Sequence, residues 1–178
     1  MKLSQFLLED SETYEYGAVM LYFNFPEINQ IHDLITSEDV YTEEGDRTFG
    51  LEDEPHITLL YGLKGDIDKQ DIEDVIGKIT FGRCDIFNAS LFKNESYDVL
   101  KFDVEGEGIH SANEMLKEFP HTSTFPNYHP HMTIGYLKPG EGDKYVEKLE
   151  GLKFKILPEY VIYSKPSGEQ IKIDINLN

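Results

Sequence analysis

A short segment occurs twice in this chain, as PHITLLY at residues 55–61 and as PHMTIGY at residues 130–136. The copies share Pro, His, Thr and Tyr at the same offsets, with an apolar residue after each His and each Thr. On a β-strand the side chains alternate between faces, so the His and Thr of one copy project together, about 7 Å apart along the backbone. We expect the apolar residues, with Tyr61 and Tyr136, to face the core. The repeat predicts two matched strands that each present an imidazole and a hydroxyl.

Two such strands suit chemistry at phosphorus if a pseudo-twofold axis places His56 and Thr58 opposite His131 and Thr133. One imidazole would then accept a proton from the attacking oxygen, while the other would give one to the leaving oxygen. The threonine hydroxyls would donate hydrogen bonds to the non-bridging phosphate oxygens, where charge accumulates. The need for both a base and an acid explains the repeat. Either copy alone would more simply be a strand histidine with a packing role.

The histidines also allow a metal site. His129 and His131 occupy alternate positions of one strand, and His121 and His56 could complete a set of zinc ligands. Neither copy of the segment adds a carboxylate ligand on the strand, however, and a zinc site would leave the paired threonines without a role. We therefore expect no metal and no other cofactor.

The rest of the sequence predicts an α+β fold with internal duplication, in which similar series of strands and helices each carry one copy of the segment. Residues 17–25 are apolar nearly throughout, which indicates a strand buried on both faces. The helix that follows Pro26 is marked by apolar residues at helical spacing, namely Ile28, Ile31, Leu34 and Ile35. Other predicted elements are helices near 66–76, 108–118 and 142–150 and strands near 79–92, 96–104, 152–157, 159–165 and 169–176. No low-complexity linker divides the chain, so we expect one domain over residues 1–178, with 1–15 loosely held.

Net charge bears on the choice of partner. The 178 residues carry 34 acidic and 16 basic side chains, for a net charge of −18. Proteins that bind a nucleic-acid backbone neutralise several phosphates with Lys and Arg, and no basic cluster exists here, so a long nucleic acid is not the expected partner. A small ligand fits better, although acidity also simply confers solubility.

Other bulk features bear on location. No apolar run approaches the roughly 20 residues that cross a bilayer. Cys84 is the lone cysteine, which precludes an internal disulfide and favours a reducing cytoplasm. We expect a cytoplasmic protein without a membrane partner, and a monomer.

The residues HITL at 56–59 and HMTI at 131–134 resemble the two His-x-Thr-x motifs of the 2H phosphoesterase superfamily. The resemblance runs roughly from Tyr16 onward and implies a bilobal α+β fold, with two antiparallel-rich sheets around a central cleft. It also implies no metal, and cleavage or rearrangement of phosphodiesters in nucleotides. More narrowly, the block GLEDEPHITLLYGL is similar to the phage anti-CBASS members, which destroy the cyclic di- and trinucleotides that signal infection in bacteria. A relative acting on 2′,3′-cyclic phosphate RNA ends or 2′–5′ oligonucleotides is the alternative, and a non-catalytic nucleotide-sequestering protein is another.

Four further residues are candidates for substrate binding. Tyr16, Phe125 and Tyr128 occupy loop or strand-edge positions from which an aromatic ring could stack on a base, a contact worth about 1–3 kcal/mol. Arg47 stands alone in the acidic loop 37–54 and could reach a phosphate, or form a surface salt bridge. Core packing is the alternative role of each aromatic residue.

The amino end, MKLSQFLLE at residues 1–9, is similar to the short capsid-targeting leaders of proteins packaged in tailed-phage heads. In those leaders an apolar residue two places before Glu marks the maturation cut, and Leu7 and Glu9 have this spacing. The mature protein would then begin at Asp10 and enter the host cytoplasm from the virion. A short frayed helix resting on the domain is the simpler interpretation.

Overall fold

The structure is a computed structural model that describes residues 13–122 and 126–178. The proposed leader and the candidate Phe125 lie outside the described residues. The helices are α1 (Ile28–Asp33), α2 (Lys69–Gly77), α3 (Ile109–Leu116) and α4 (Asp143–Lys148). The strands are β1 (Gly17–Phe23), β2 (His56–Leu63), β3 (Thr80–Phe81), β4 (Cys84–Lys93), β5 (Asp98–Gly106), β6 (His131–Leu137), β7 (Phe154–Ile156), β8 (Pro158–Ser164), β9 (Gln170–Asp174) and β10 (Asn176–Leu177). None of the helices in these ranges is long and apolar enough to cross a bilayer.

Two four-stranded antiparallel sheets form two lobes. The first lobe has the strand order β2-β1-β8-β9 and the second β6-β5-β4-β7, while β10 and β3 pair separately in parallel. Each repeated segment forms the edge strand of its sheet. Along the chain the order β1-α1-β2-α2 matches the later order β5-α3-β6-α4, although α3 packs against β2 and α2. The predicted α+β fold is thus confirmed, but the first lobe also draws on β8 and β9 from late in the chain.

The apolar pattern explains where these elements pack. All residues of β1 are buried, as its apolar sequence predicts. Helix α1 buries Ile28 and Ile31, but it ends at Asp33, so that Leu34 lies at its C-cap and is 46% exposed, contrary to the prediction. The Asp68 side chain accepts a hydrogen bond from Gln70 N and so caps α2, as an N-cap carboxylate should.

Both motif strands contain a β-bulge at the residue after the threonine. The register of β2 against β1 skips Leu59, and that of β6 against β5 skips Ile134. A bulge shifts the alternation of faces by one residue. The prediction that Tyr61 faces the core is therefore wrong, since Tyr61 is 47% exposed. Tyr136 is half-buried and packs with the aromatic rings of Phe49 and Tyr97.

Irregular segments cover the outer edge of each motif strand, which would otherwise expose unpaired backbone groups. The loop 37–54 runs along β6, where Tyr41 N donates to Tyr136 O at 2.9 Å and Glu52 N to Ile134 O at 2.9 Å. Residues 120–122 run along β2, where Thr122 N donates to Gly62 O at 2.8 Å. The two edges are thus closed in the same way by unrelated segments.

Candidate active site

The first motif histidine begins β2 and is held on two sides. His56 Nδ1 lies 2.8 Å from Glu54 O, and its ring stacks on Tyr22 with centroids 5.0 Å apart. Tyr22 is also the cross-strand partner of His56 in the β1–β2 pair. Only 6% of His56 is exposed.

The second motif histidine repeats this arrangement. His131 Nδ1 lies 3.0 Å from His129 O, and its ring meets Phe92 edge to face at 5.0 Å. A carbonyl oxygen only accepts, so Nδ1 of His131, like that of His56, carries the proton and leaves Nε2 with a lone pair when the ring is neutral. Burial lowers the pKa of His131 against the opposing effect of its hydrogen bond to His129 O, and the positive charge of Lys101 also lowers the pKa. His131 is therefore suited to accept a proton at neutral pH.

A cavity of about 800 Å³ brings residues of both motifs together. Thr58 of the first motif and His131 of the second line it. His56 and Thr133 are not among the lining residues; each lies two positions from a lining residue of its own strand. The volume is in the range of small-molecule pockets, about 300–1,000 Å³. The remaining polar lining comes from Lys101, Asp103, Glu105, Asn113, Lys117, His121, Thr122, Asn127, Tyr128 and His129.

The predicted substrate-binding residues lie in different places. Tyr128 lines the cavity, where its hydroxyl donates to Thr58 O at 2.8 Å, so it also fixes the backbone of the first motif. Tyr16 does not line the cavity, but its ring packs against the lining residue Tyr61 at 6.1 Å. Arg47 is exposed in the loop 37–54 and is not a lining residue.

The structure reveals a pair of ionised residues beside the second motif that sequence reasoning did not select. In the β5–β6 register Lys101 lies opposite Thr133, and Asp103 lies opposite His131. Lys101 Nζ donates to Asp103 Oδ1 at 3.0 Å. Although burial acts to raise it, the pKa of Asp103 is held low by hydrogen bonds from Asn88 and Lys101. In the sequence these two residues were marked only by their alternation with the apolar residues Leu100, Phe102 and Val104.

Each bulge is held by a side chain from the helix that precedes the other motif strand. Asn113 on α3 donates through Nδ2 to Leu59 O at 2.7 Å, and His32 on α1 lies with Nε2 3.0 Å from Ile134 O. The two residues occupy the same position, the fifth, in their helices. Helix α3 packs against β2 and α2, so Asn113 holds the bulge of the strand that its own helix covers.

Two further observations concern a metal site and a second depression. Within residues 13–122 and 126–178 no three His, Cys, Asp or Glu side chains are grouped so that they could hold a metal ion. A second depression of about 710 Å³, lined in part by Arg83, Lys155 and Lys172, includes no motif residue.

Comparison with known proteins adds evidence at the level of the fold. No family model and no curated protein matches the chain. The chain resembles Usb1 of Kluyveromyces marxianus in fold. The TM-score with that solved structure is 0.56, with 11% identity over 91% of this chain and 99% of that chain. A structure of the same protein with uridine monophosphate gives a TM-score of 0.53, with 11% identity over 90% and 98% of the two chains. At this identity the likeness establishes a shared fold.

Proposed function

We propose that this protein is a phosphodiesterase of the 2H phosphoesterase type that acts on nucleotides with His56 and His131 as its acid–base pair. The observation that carries the proposal is the repeated local geometry of the two His-x-Thr segments. In both, His Nδ1 donates to the carbonyl two residues earlier, and a bulge follows the threonine. A packing role for one histidine would not require the same backbone device twice.

In the proposed reaction His131 is the base and His56 is the acid. Burial and Lys101 favour the neutral form of His131, whose Nε2 takes the proton of the attacking hydroxyl. A new O–P bond forms as the bond from phosphorus to the leaving 5′-oxygen breaks, and His56 protonates that oxygen. Tyr22, which stacks on His56, has its pKa raised by burial and by the charges of Glu54 and Glu52. The acid role of His56 follows from the assignment of His131 as the base, because the reaction needs one group of each kind.

The attacking oxygen is either the neighbouring ribose 2′-hydroxyl or water. Attack by the 2′-hydroxyl gives a 2′,3′-cyclic phosphate and a free 5′-hydroxyl, whereas attack by water gives a 3′-phosphate directly. Thr58 and Thr133 would donate hydrogen bonds to the non-bridging oxygens in either case.

The proposed substrates are cyclic di- and trinucleotides with 3′–5′ linkages, so that the enzyme would disable anti-phage signalling in an infected bacterium. The similarity of residues 50–63 to the phage anti-CBASS enzymes supports this choice. The second candidate is a linear substrate, an RNA end with a 2′,3′-cyclic phosphate or a 2′–5′ oligonucleotide. The solved structure of the fold relative with uridine monophosphate favours that alternative.

Chromatography of a panel of cyclic and linear nucleotides after incubation with the protein in excess EDTA tests the proposal. We expect 3′–5′ cyclic dinucleotides to be cleaved, and His56→Ala and His131→Ala each to lower the rate by about 10²–10⁴-fold. Thr58→Val and Thr133→Val should have smaller effects. His110→Gln is the control histidine, because it lies outside both motifs and does not line the cavity; its ring contacts the lining residues Glu105 and Tyr128, so its effect measures the loss of an imidazole without an acid–base role.

Three outcomes would redirect the proposal. Cleavage of RNA ends or 2′–5′ oligonucleotides with cyclic dinucleotides left intact would give the second candidate. Tight nucleotide binding without any product would make the protein a sequestering one. Activity that is lost in EDTA and restored by zinc would refute metal-independent chemistry.

A further inference from the structure

A nearly buried ammonium group lies on the wall of the cavity. The Lys101 side chain is 9% exposed and lines the cavity beside the second motif. Its Nζ donates to Ser90 Oγ at 2.8 Å and to Asp103 Oδ1 at 3.0 Å, and lies 4.7 Å from the centroid of the Phe92 ring. Removing an ammonium from water is costly even when it is paired. Its place in the cavity wall therefore calls for a reason beyond packing.

The first lobe shows that the fold does not need a charge at this position. Lys101 is the cross-strand partner of Thr133, and the cross-strand partner of Thr58 is Met20. Met20 is 1% exposed and packs with Tyr22 and Ile162. The same register position thus accepts an apolar side chain in one lobe and an ammonium in the other. This difference makes the two lobes chemically unequal next to otherwise matched motifs.

An ammonium has the donors and the charge that a phosphate oxygen requires. It carries three N–H donors, and Ser90 and Asp103 account for two of them. The whole chain is strongly acidic, and the described cavity lining includes one other cation, Lys117, whose ammonium pairs with Glu114 at 2.9 Å. Lys101 is therefore the lining ammonium that lies beside a motif and keeps an N–H donor for a phosphodiester, in a cavity that Asp103 and Glu105 also line.

We propose that Lys101 binds the substrate phosphate from the second lobe, donating a hydrogen bond to a non-bridging oxygen next to Thr133. Asp103 and Ser90 position the ammonium for this contact, and Met20 gives the first lobe no equivalent. The inference rests on the proposed function, because it names the anion contact of the same site.

Titration calorimetry of the full chain with uridine monophosphate and with uridine tests the contact. Lys101→Met gives the second lobe a methionine at the position where the first lobe has Met20. It should weaken binding of uridine monophosphate by about 10- to 100-fold, the effect of losing a charge-assisted hydrogen bond. Binding of uridine, which has no phosphate, should change by less than about 3-fold because it makes no such bond. Lys165→Met is the matched control, because that side chain is 14% exposed, pairs with Asp66 at 3.0 Å and does not line the cavity; it should leave both affinities near the wild-type values.

Lys101→Gln replaces Lys101→Met if that variant does not fold, because it removes the charge and keeps an N–H donor for Ser90 or Asp103. Equal affinity of variant and wild type for uridine monophosphate would overturn the assignment. So would an equal loss in Lys165→Met, or wild-type binding of uridine as tight as that of uridine monophosphate. A wild type that binds uridine monophosphate through Lys101 but cleaves no nucleotide would refute the proposed catalysis and leave this contact intact.

Discussion

Gly62 allows residues 120–122 to approach the first motif strand. Its φ is +95°, which side chains of L residues rarely adopt, and a Cβ placed on it would lie 2.7 Å from Thr122 Cγ2 and 2.8 Å from Thr122 O. An alanine at this position would have to displace the backbone of Thr122. The hydrogen bonds from Thr122 N to Gly62 O and from Lys64 N to Pro120 O, both 2.8 Å, lie on either side of the collision.

We expect Gly62→Ala to lower the free energy of unfolding by about 2–5 kcal/mol. Left-handed backbone costs about 1–2 kcal/mol in a residue with a Cβ, and each lost backbone hydrogen bond adds about 0.5–1.5 kcal/mol. Gly65→Ala is the matched control, because Gly65 has φ +74° and nothing within 4 Å of its added Cβ. The free energy of unfolding of that variant should fall only by the cost of the left-handed backbone, about 1–2 kcal/mol.

Urea unfolding followed by circular dichroism measures both variants. Gly62 permits the close approach of residues 120–122, and two of these, His121 and Thr122, line the cavity. Gly62→Ala should therefore also weaken nucleotide binding, whereas Gly65→Ala should not. Equal losses of stability in the two variants would show that the close approach of Thr122 to β2 contributes nothing, and would refute this account of the strand edge.

Three other predictions follow from the buried groups. Asn113→Ala should lower the free energy of unfolding by about 1–3 kcal/mol, because it removes the buried amide that donates to Leu59 O, whereas His32→Ala should cost about 1 kcal/mol in the same urea assay, because Ile134 O still accepts from Glu52 N. Because burial and Lys101 lower the pKa of His131 from 6.5, the acidic limb of the kcat/KM profile, where the base becomes protonated, should lie below pH 6.5, and a separate alkaline limb should report loss of the proton from the acid; if His131→Ala abolishes the alkaline limb and keeps the acidic one, His131 is the acid instead. Burial raises the pKa of Cys84 to about 12, so this thiol should not react with Ellman's reagent at pH 8 until urea unfolds the protein, and fast native labelling would contradict its burial.

The sequence by itself determined the feature on which everything else depends. The repeated Pro-His-x-Thr segment predicted two strands with a histidine and a threonine on one face, because strand geometry has a period of two that local residues obey. The apolar run of β1 and the spacing of Ile28 and Ile31 likewise predicted a buried strand and a helix. Local periodicity needs no knowledge of distant partners, so these features could be read from the chain alone.

Tertiary structure decided what surrounds the motifs. The bulge at Leu59 turned Tyr61 outward, and nothing in the local pattern shows a bulge because its position depends on the register with β1. The pairing of Lys101 with Thr133 likewise depends on how β5 aligns with β6. Asn113 donates to Leu59 O, 54 positions earlier in the chain. Each of these features joins residues that are apart in the chain, and only the tertiary structure brings them together.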